Sequence, residues 1–162
     1  MNYIEAYTKG VSCFEAARRT KNRKYAKIGQ QIRRRVKNWI AKGNPNLGHV
    51  DILLDAEHAA LKRKPSLARQ KFELAVFLSA RSGLMLDAGL ASELFGEYCL
   101  ELGDEGDATF HLKDAIKFYT DVGAAGKVRQ LSVKYSDLLP RPTEVISLPP
   151  SLDSKELETT LE

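Results

Sequence analysis

The chain has 162 residues, of which 43% are hydrophobic and 28% charged, and its formal net charge is +4. This length and composition suit one folded domain with a sizeable core. The longest apolar run is too short for a membrane span, and the first residues lack the apolar stretch of a secretory signal, so we expect a soluble, cytoplasmic protein. Cys13 and Cys99 lie far apart, without a C-x-x-C spacing, and are expected to be reduced, partly buried thiols.

Basic residues are concentrated in the first quarter of the chain. Residues 1–42 hold twelve Lys and Arg against two acids, whereas the remaining 120 residues hold thirteen against nineteen. Such a cluster raises nucleic acid or anionic lipid as partners. The charges fall on two predicted helices with little aromatic interleaving and no nucleic-acid-binding motif, so a solvated face or an acidic protein partner is the favoured interpretation.

Apolar spacing along the chain predicts helices and little else. Gly43 and Pro45 supply a helix stop and a tight turn, and Pro65 or Ser66 starts another helix that Gly83 ends. The acidic loop 103–107 lacks the ligand pattern of an EF-hand and is interpreted as a helix N-cap region. The other predicted helices cover approximately residues 3–19, 24–42, 47–63, 86–102, 107–122 and 124–138.

An internal repeat organises these helices. Gly43, Gly83 and Gly123 lie forty residues apart, and each follows apolar residues at matching helical offsets. Only Arg35 and Ser79 break the apolar columns. Such a period predicts an all-α solenoid of helical hairpins, in which neighbouring units stack to make the core and the surface usually binds a partner. We expect Trp39 to be a buried anchor, and small residues to pack where helices approach closely, notably Ala68, Ala75, Ala108 and Ala115.

The pattern changes after residue 138. Leu139-Pro140-Arg141-Pro142 and the later Pro149-Pro150 disfavour helix. The sequence therefore predicts a helical repeat domain over residues 1–138 and a Pro- and Ser-containing linker or disordered tail over residues 139–162.

Several motifs resemble one known family. One stretch resembles its "W…P…N-x-x-H…L…A-E" motif through Trp39, Pro45, Asn46, His49, Leu53-Leu54 and Ala56-Glu57. A later stretch is similar to its "Y-L-x-x-A…Y-x-x-W-G-A-x-x-K-V-x-x-L…Y" pattern. That later stretch comprises Leu112, Ala115, Tyr119, Gly123-Ala124, Lys127-Val128, Leu131 and Tyr135. The family is the tetratricopeptide-like helical region of large multi-sensor signalling proteins.

In that family a serine/threonine kinase-like domain and an AAA-type ATPase module precede the helical region, and a GAF domain and a histidine kinase follow it. The resemblance implies a relay role in two-component signal transduction. This sequence departs from the pattern at Val122, where the family usually has tryptophan, and at His111, where an aromatic residue is common. It contains no kinase signature and no phosphate loop, so we expect neither enzymatic activity nor a cofactor in this chain.

Other candidate sites are weak. His49 and His58 are nine residues apart on one predicted helix and should face opposite sides, so no zinc pair is expected. The basic second helix suggests that Arg33, Arg34 and Lys37 dock an acidic surface of another domain. Three functions follow from these observations: a non-catalytic interaction or relay module, a free-standing adaptor or scaffold, and, as the weakest, a basic nucleic-acid-binding domain.

Overall fold

The computed structural model describes residues 3–139, with side chains from residue 4 onward. This part of the chain is all-α and contains no strand. A short 3₁₀ helix, Pro45–Leu47, leads into the third of seven α-helices. The α-helices are α1 (Tyr3–Thr20), α2 (Arg23–Ala41), α3 (Gly48–Leu61), α4 (Pro65–Arg81), α5 (Met85–Glu101), α6 (Glu105–Asp121) and α7 (Ala125–Lys134).

All seven predicted helices are present, and the main difference is at the end of α7. Regular helix stops at Lys134, four residues before the predicted end, because Tyr135 leaves helical geometry (φ −119°, ψ 32°). The chain continues as turns in which the Leu139 N–H donates to the Tyr135 carbonyl at 2.8 Å. The predicted tail lies outside the described residues, apart from its first residue, the buried Leu139.

The interhelical turns recur about every twenty residues, which is half of the forty-residue period predicted from the sequence. A residue with positive φ follows each of the first six α-helices. At five of these helix ends, a backbone carbonyl accepts a hydrogen bond from the N–H five residues later, at 2.8–3.2 Å, and these carbonyls are spaced twenty residues apart. This is the Schellman arrangement that ends helices. The positive-φ residues are Lys21, Gly43, Arg63, Gly83, Gly103 and Gly123.

Consecutive helices pack against one another, and α1 also packs against α3. The larger apolar core joins α1 through α5 and includes Ala108 of α6, and its largest fully buried side chains are Phe14, Phe72 and Phe95. A second core joins α6 and α7 around Leu112 and Leu131, and Leu100 contacts both cores. Apolar burial thus extends from α1 to α7 in two cores that meet at Leu100.

Most positions in the repeat columns are buried, with exceptions in the first copy. The four alanines at the predicted packing positions, Ala68, Ala75, Ala108 and Ala115, are each 0% exposed. Ser79 is buried despite its hydroxyl, whereas Arg35, the counterpart of two of these alanines, is exposed. Trp39 is half-buried and packs against the edge of the larger core, so it is a peripheral anchor and not a fully buried one.

Helix-interior glycines permit the closest helix contacts. A Cβ at Gly96 of α5 would lie 2.8 Å from Leu112 Cγ and 3.2 Å from the Ala108 carbonyl oxygen of α6. A Cβ at Gly89 would lie 2.7 Å from the Tyr119 ring. Glycine weakens an isolated helix, but here it lets α5 and α6 approach each other.

Among the described residues, no helix combines the length and apolarity that a membrane span requires.

Candidate functional site

A groove of about 1440 Å³ lies where α1, α3, α5 and α7 end. Because turns reverse the chain between successive helices, the carboxyl ends of these alternate helices meet on one side of the protein. The first turns of α2 and α4 complete the wall, and α6 contributes none of the lining residues. The groove is therefore lined by residues of several repeats, as binding surfaces of repeat proteins are.

An ion-pair network joins three helices beside the groove. The Arg18 guanidinium of α1 donates to Glu57 of α3, and its Nε donates to Glu101 Oε2 of α5 at 3.1 Å. Arg18 also lies over the Tyr98 ring, 5.9 Å from its centroid. Arg18 is buried and Glu57 is 0% exposed, whereas the Glu101 side chain is 39% exposed. Removing Arg18 would leave the buried Glu57 carboxylate without a counter-charge, so the network holds α1, α3 and α5 relative to one another.

Burial raises the pKa of Glu57 to about 7, against the opposing attraction of Arg18. The geometry agrees with this direction, because Glu57 Oε1 is buried and has no hydrogen-bond partner in the part of the chain that the structure describes. A carboxylate oxygen that has lost water and gained no donor favours the protonated form of the group.

Glu97 of α5 repeats this role one period later. It lies forty residues after Glu57, and its Oε1 accepts hydrogen bonds from Lys134 Nζ and from the Tyr135 hydroxyl, each at 2.6 Å. Burial and the adjacent Glu97 carboxylate raise the pKa of Tyr135 to about 12. Corresponding acids thus bind a cation from two helices earlier in one repeat, Arg18 of α1, and from two helices later in the next, Lys134 of α7.

The groove carries more positive charge than negative charge. Its three lining acids are each paired with a lining cation: Glu15 with Arg19, Glu97 with Lys134, and Glu101 with Arg18. Four further lining cations are exposed and have no ion-pair partner among residues 4–139. These four, the basic rim of the groove, are Lys21, Arg23, Lys62 and Arg63.

The residues proposed from the sequence as a docking face lie elsewhere, on α2. Arg33 donates to Asp55 of α3, and Lys37 Nζ donates to Asp51 Oδ2 and Asp55 Oδ2, each at 3.2 Å. Arg34 is exposed and has no such partner among the described residues. The structure thus places two of the three predicted contacts in ion pairs that hold α2 to α3.

The histidines and cysteines take packing roles. His49 Nε2 lies 3.0 Å from Asp87 Oδ2 of α5, whereas His58 contacts Gln30 of α2, so the two histidines face opposite sides as predicted. The His111 ring stacks on Phe95 with centroids 3.8 Å apart. Within the described residues, no group of three or more His, Cys, Asp and Glu side chains is placed to hold a metal ion.

Both cysteines, Cys13 and Cys99, are buried and unpaired, and burial raises the pKa of each thiol, to about 11 for Cys99. A high thiol pKa leaves little thiolate, the reactive form, at neutral pH.

The acidic loop is an N-cap as predicted, since Asp104 Oδ1 accepts the Asp107 N–H at 3.2 Å.

Comparison with protein-family models, curated proteins and solved structures finds no match to this chain. The resemblance to the tetratricopeptide-like region of multi-sensor proteins therefore stays a prediction from sequence motifs. The groove and its charges are the observations on which a function can be built.

Proposed function

We propose that this chain is a non-catalytic protein interaction module that holds a segment of another protein in the groove. The observation that carries the proposal is the position of the groove, at the shared end of four helices from successive hairpins. A volume of about 1440 Å³ exceeds the roughly 300–1,000 Å³ of typical small-molecule pockets and is large enough for a peptide segment.

The chemistry of the lining also favours binding. The acids in the groove accept hydrogen bonds from neighbouring basic side chains, and Arg18 and Lys134 are held by those acids. Groups engaged in this way hold helices in position. The groove therefore offers shape and charge to a partner.

The place of this module in a larger assembly rests on the sequence resemblance. We propose a relay between the ATPase module and the sensor and histidine-kinase domains of a cytoplasmic multi-sensor protein. A free-standing adaptor would use the same groove. Sequencing the full transcript and measuring the protein mass in source cells separates the two, because only the relay requires GAF and histidine-kinase regions in the same polypeptide.

Site-specific photocrosslinking tests the groove itself. Leu102 lines the groove and is 44% exposed, whereas Leu74 of α4 is 37% exposed and lies outside the groove. We would replace each with a photoreactive phenylalanine in the native protein and map the crosslinked peptides by mass spectrometry. A defined protein sequence crosslinked at Leu102 and absent at Leu74 supports the proposal; identical products at both sites, or none at Leu102, would refute it.

A further inference from the structure

We propose that the basic rim of the groove selects an acidic, extended segment of a partner protein, with carboxylates spaced between apolar residues. This inference rests on the proposed function and adds the chemistry of the ligand. The four rim cations lie on the two turns that follow α1 and α3, and at the start of α2.

Charge complementarity is the first argument. The acids that line the groove are already paired with Arg18, Arg19 and Lys134, so the unpaired charge presented to a partner is that of the rim. Exposed cations without partners contribute little to folding stability, but they attract and orient an anionic ligand. Leu102, also in the lining, adds an exposed apolar contact.

Backbone conformation is the second and independent argument. Four of the six positive-φ turn residues are glycines, and the two exceptions, Lys21 (φ 57°) and Arg63 (φ 56°), both belong to the basic rim. A non-glycine residue is disfavoured in this left-handed region. Strain retained at a surface site is a reason to look for function there. The turns after α1 and α3 keep a long cation at this position, whereas the other four turns, including the one after α5 at the same groove, have glycine.

The helix dipole provides a third argument, because it favours three of the four rim cations and disfavours the fourth. The carboxyl ends of α1 and α3 favour nearby cations, which suits Lys21, Lys62 and Arg63. Arg23, however, is the first residue of α2, where the dipole disfavours positive charge, and the first turn of that helix contains no acid. Arg23 therefore strengthens the rim at the expense of its own helix.

The lining distinguishes an acidic peptide from a nucleic acid. Single-stranded nucleic acid is held by aromatic side chains on which its bases stack. The two lining tyrosines, Tyr98 and Tyr135, are 3% and 9% exposed, so neither offers a free ring face. The rim and Leu102 instead suit carboxylates separated by apolar side chains.

The test measures fluorescence anisotropy of a labelled dodecapeptide, three repeats of Glu-Leu-Glu-Ser, with a peptide containing Gln in place of every Glu as its control. The rim variant is K21G/R63G. Glycine suits both backbone positions, so this variant loses two rim charges without the risk of unfolding that most substitutions carry. The matched protein control, K113Q/K117Q, removes two exposed charges from α6, outside the groove.

We expect the acidic peptide to bind, the Gln peptide to bind at least tenfold more weakly, and the rim variant to lose about tenfold in affinity while K113Q/K117Q changes less than twofold. Equal losses in both protein variants would mean nonspecific attraction to net charge and would overturn the inference. Tighter, rim-dependent binding of labelled dodecathymidylate would overturn it in favour of nucleic acid. No binding of the peptide would also overturn it, while a defined crosslink at Leu102 would still support the proposed function.

Discussion

Substitution of Glu57 by Gln should remove a pH dependence from the stability of the protein. Burial raises the pKa of Glu57 from 4.5 to about 7 in the folded state. Between these pH values the folded protein retains a proton that the unfolded chain releases, so the free energy of unfolding falls as pH rises. The shift corresponds to about 3 kcal/mol, fully lost once the pH exceeds 7.

Urea denaturation at half-unit steps from pH 5 to pH 8 measures this effect, and the informative quantity is the difference between wild type and Glu57→Gln. Burial lowers the pKa values of His58 and His111, which makes stability rise with pH over part of the same range. These contributions are present in both proteins and cancel in the difference. The glutamine carbonyl can still accept from Arg18, which also keeps Glu101, so the variant retains a partner for the buried guanidinium.

The wild type should lose about 1–3 kcal/mol relative to the variant between pH 5 and pH 8. Glu105→Gln, at an exposed carboxyl in the first turn of α6, serves as the control and should leave the slope unchanged. A difference that is flat across this range, or that favours the wild type as pH rises, would show that Arg18 outweighs burial and would refute the reasoning.

Three further predictions concern the turns, the helix contacts and α2. Arg63→Gly should raise the free energy of unfolding by about 0.5–1 kcal/mol because it relieves a left-handed residue, whereas Gly83→Ala should lower it by about 1 kcal/mol; urea denaturation measures both. Gly96→Ala should lower the free energy of unfolding by about 1–3 kcal/mol, because the added methyl group would lie 2.8 Å from a leucine of α6. Gly126→Ala, where the added methyl group meets open space, should raise it by about 0.5 kcal/mol in the same assay. Arg34→Glu should leave the circular dichroism spectrum unchanged; if α2 is a docking face, it should also weaken binding of the native partner at least fivefold, and unchanged affinity would exclude that face.

The helices could be predicted because their determinants are local. Apolar residues at helical spacing and glycine stops at Gly43, Gly83 and Gly123 indicate where each helix lies and where it ends. The twenty-residue period of the turns was not predicted, since Lys21 and Arg63 occupy left-handed positions that glycine usually marks. Counting residues from one glycine turn to the next, and halving the interval, is the signal that could have located Arg63.

The groove could not be predicted, because charge in a sequence gives no information about pairing. Arg33 and Lys37 belong to the densest basic run, yet acids of α3 engage both. Arg18 is equally basic in the sequence but lies buried between two glutamates of other helices, up to 83 residues away. These pairings arise from helix packing across repeats, which a single sequence does not specify.

The surface available to a partner is therefore set by the charges that remain after folding has paired the others. The basic second helix, with the highest local charge, retains only part of it once α3 supplies Asp51 and Asp55. The turns after α1 and α3 retain their positive charge, because the acids that line the groove are already paired with cations from the helices themselves. A left-handed lysine or arginine at such a turn is less stable than glycine would be, and its side chain contributes no ion pair to the described fold. Binding of an anionic partner, as we propose, would account for both facts at once.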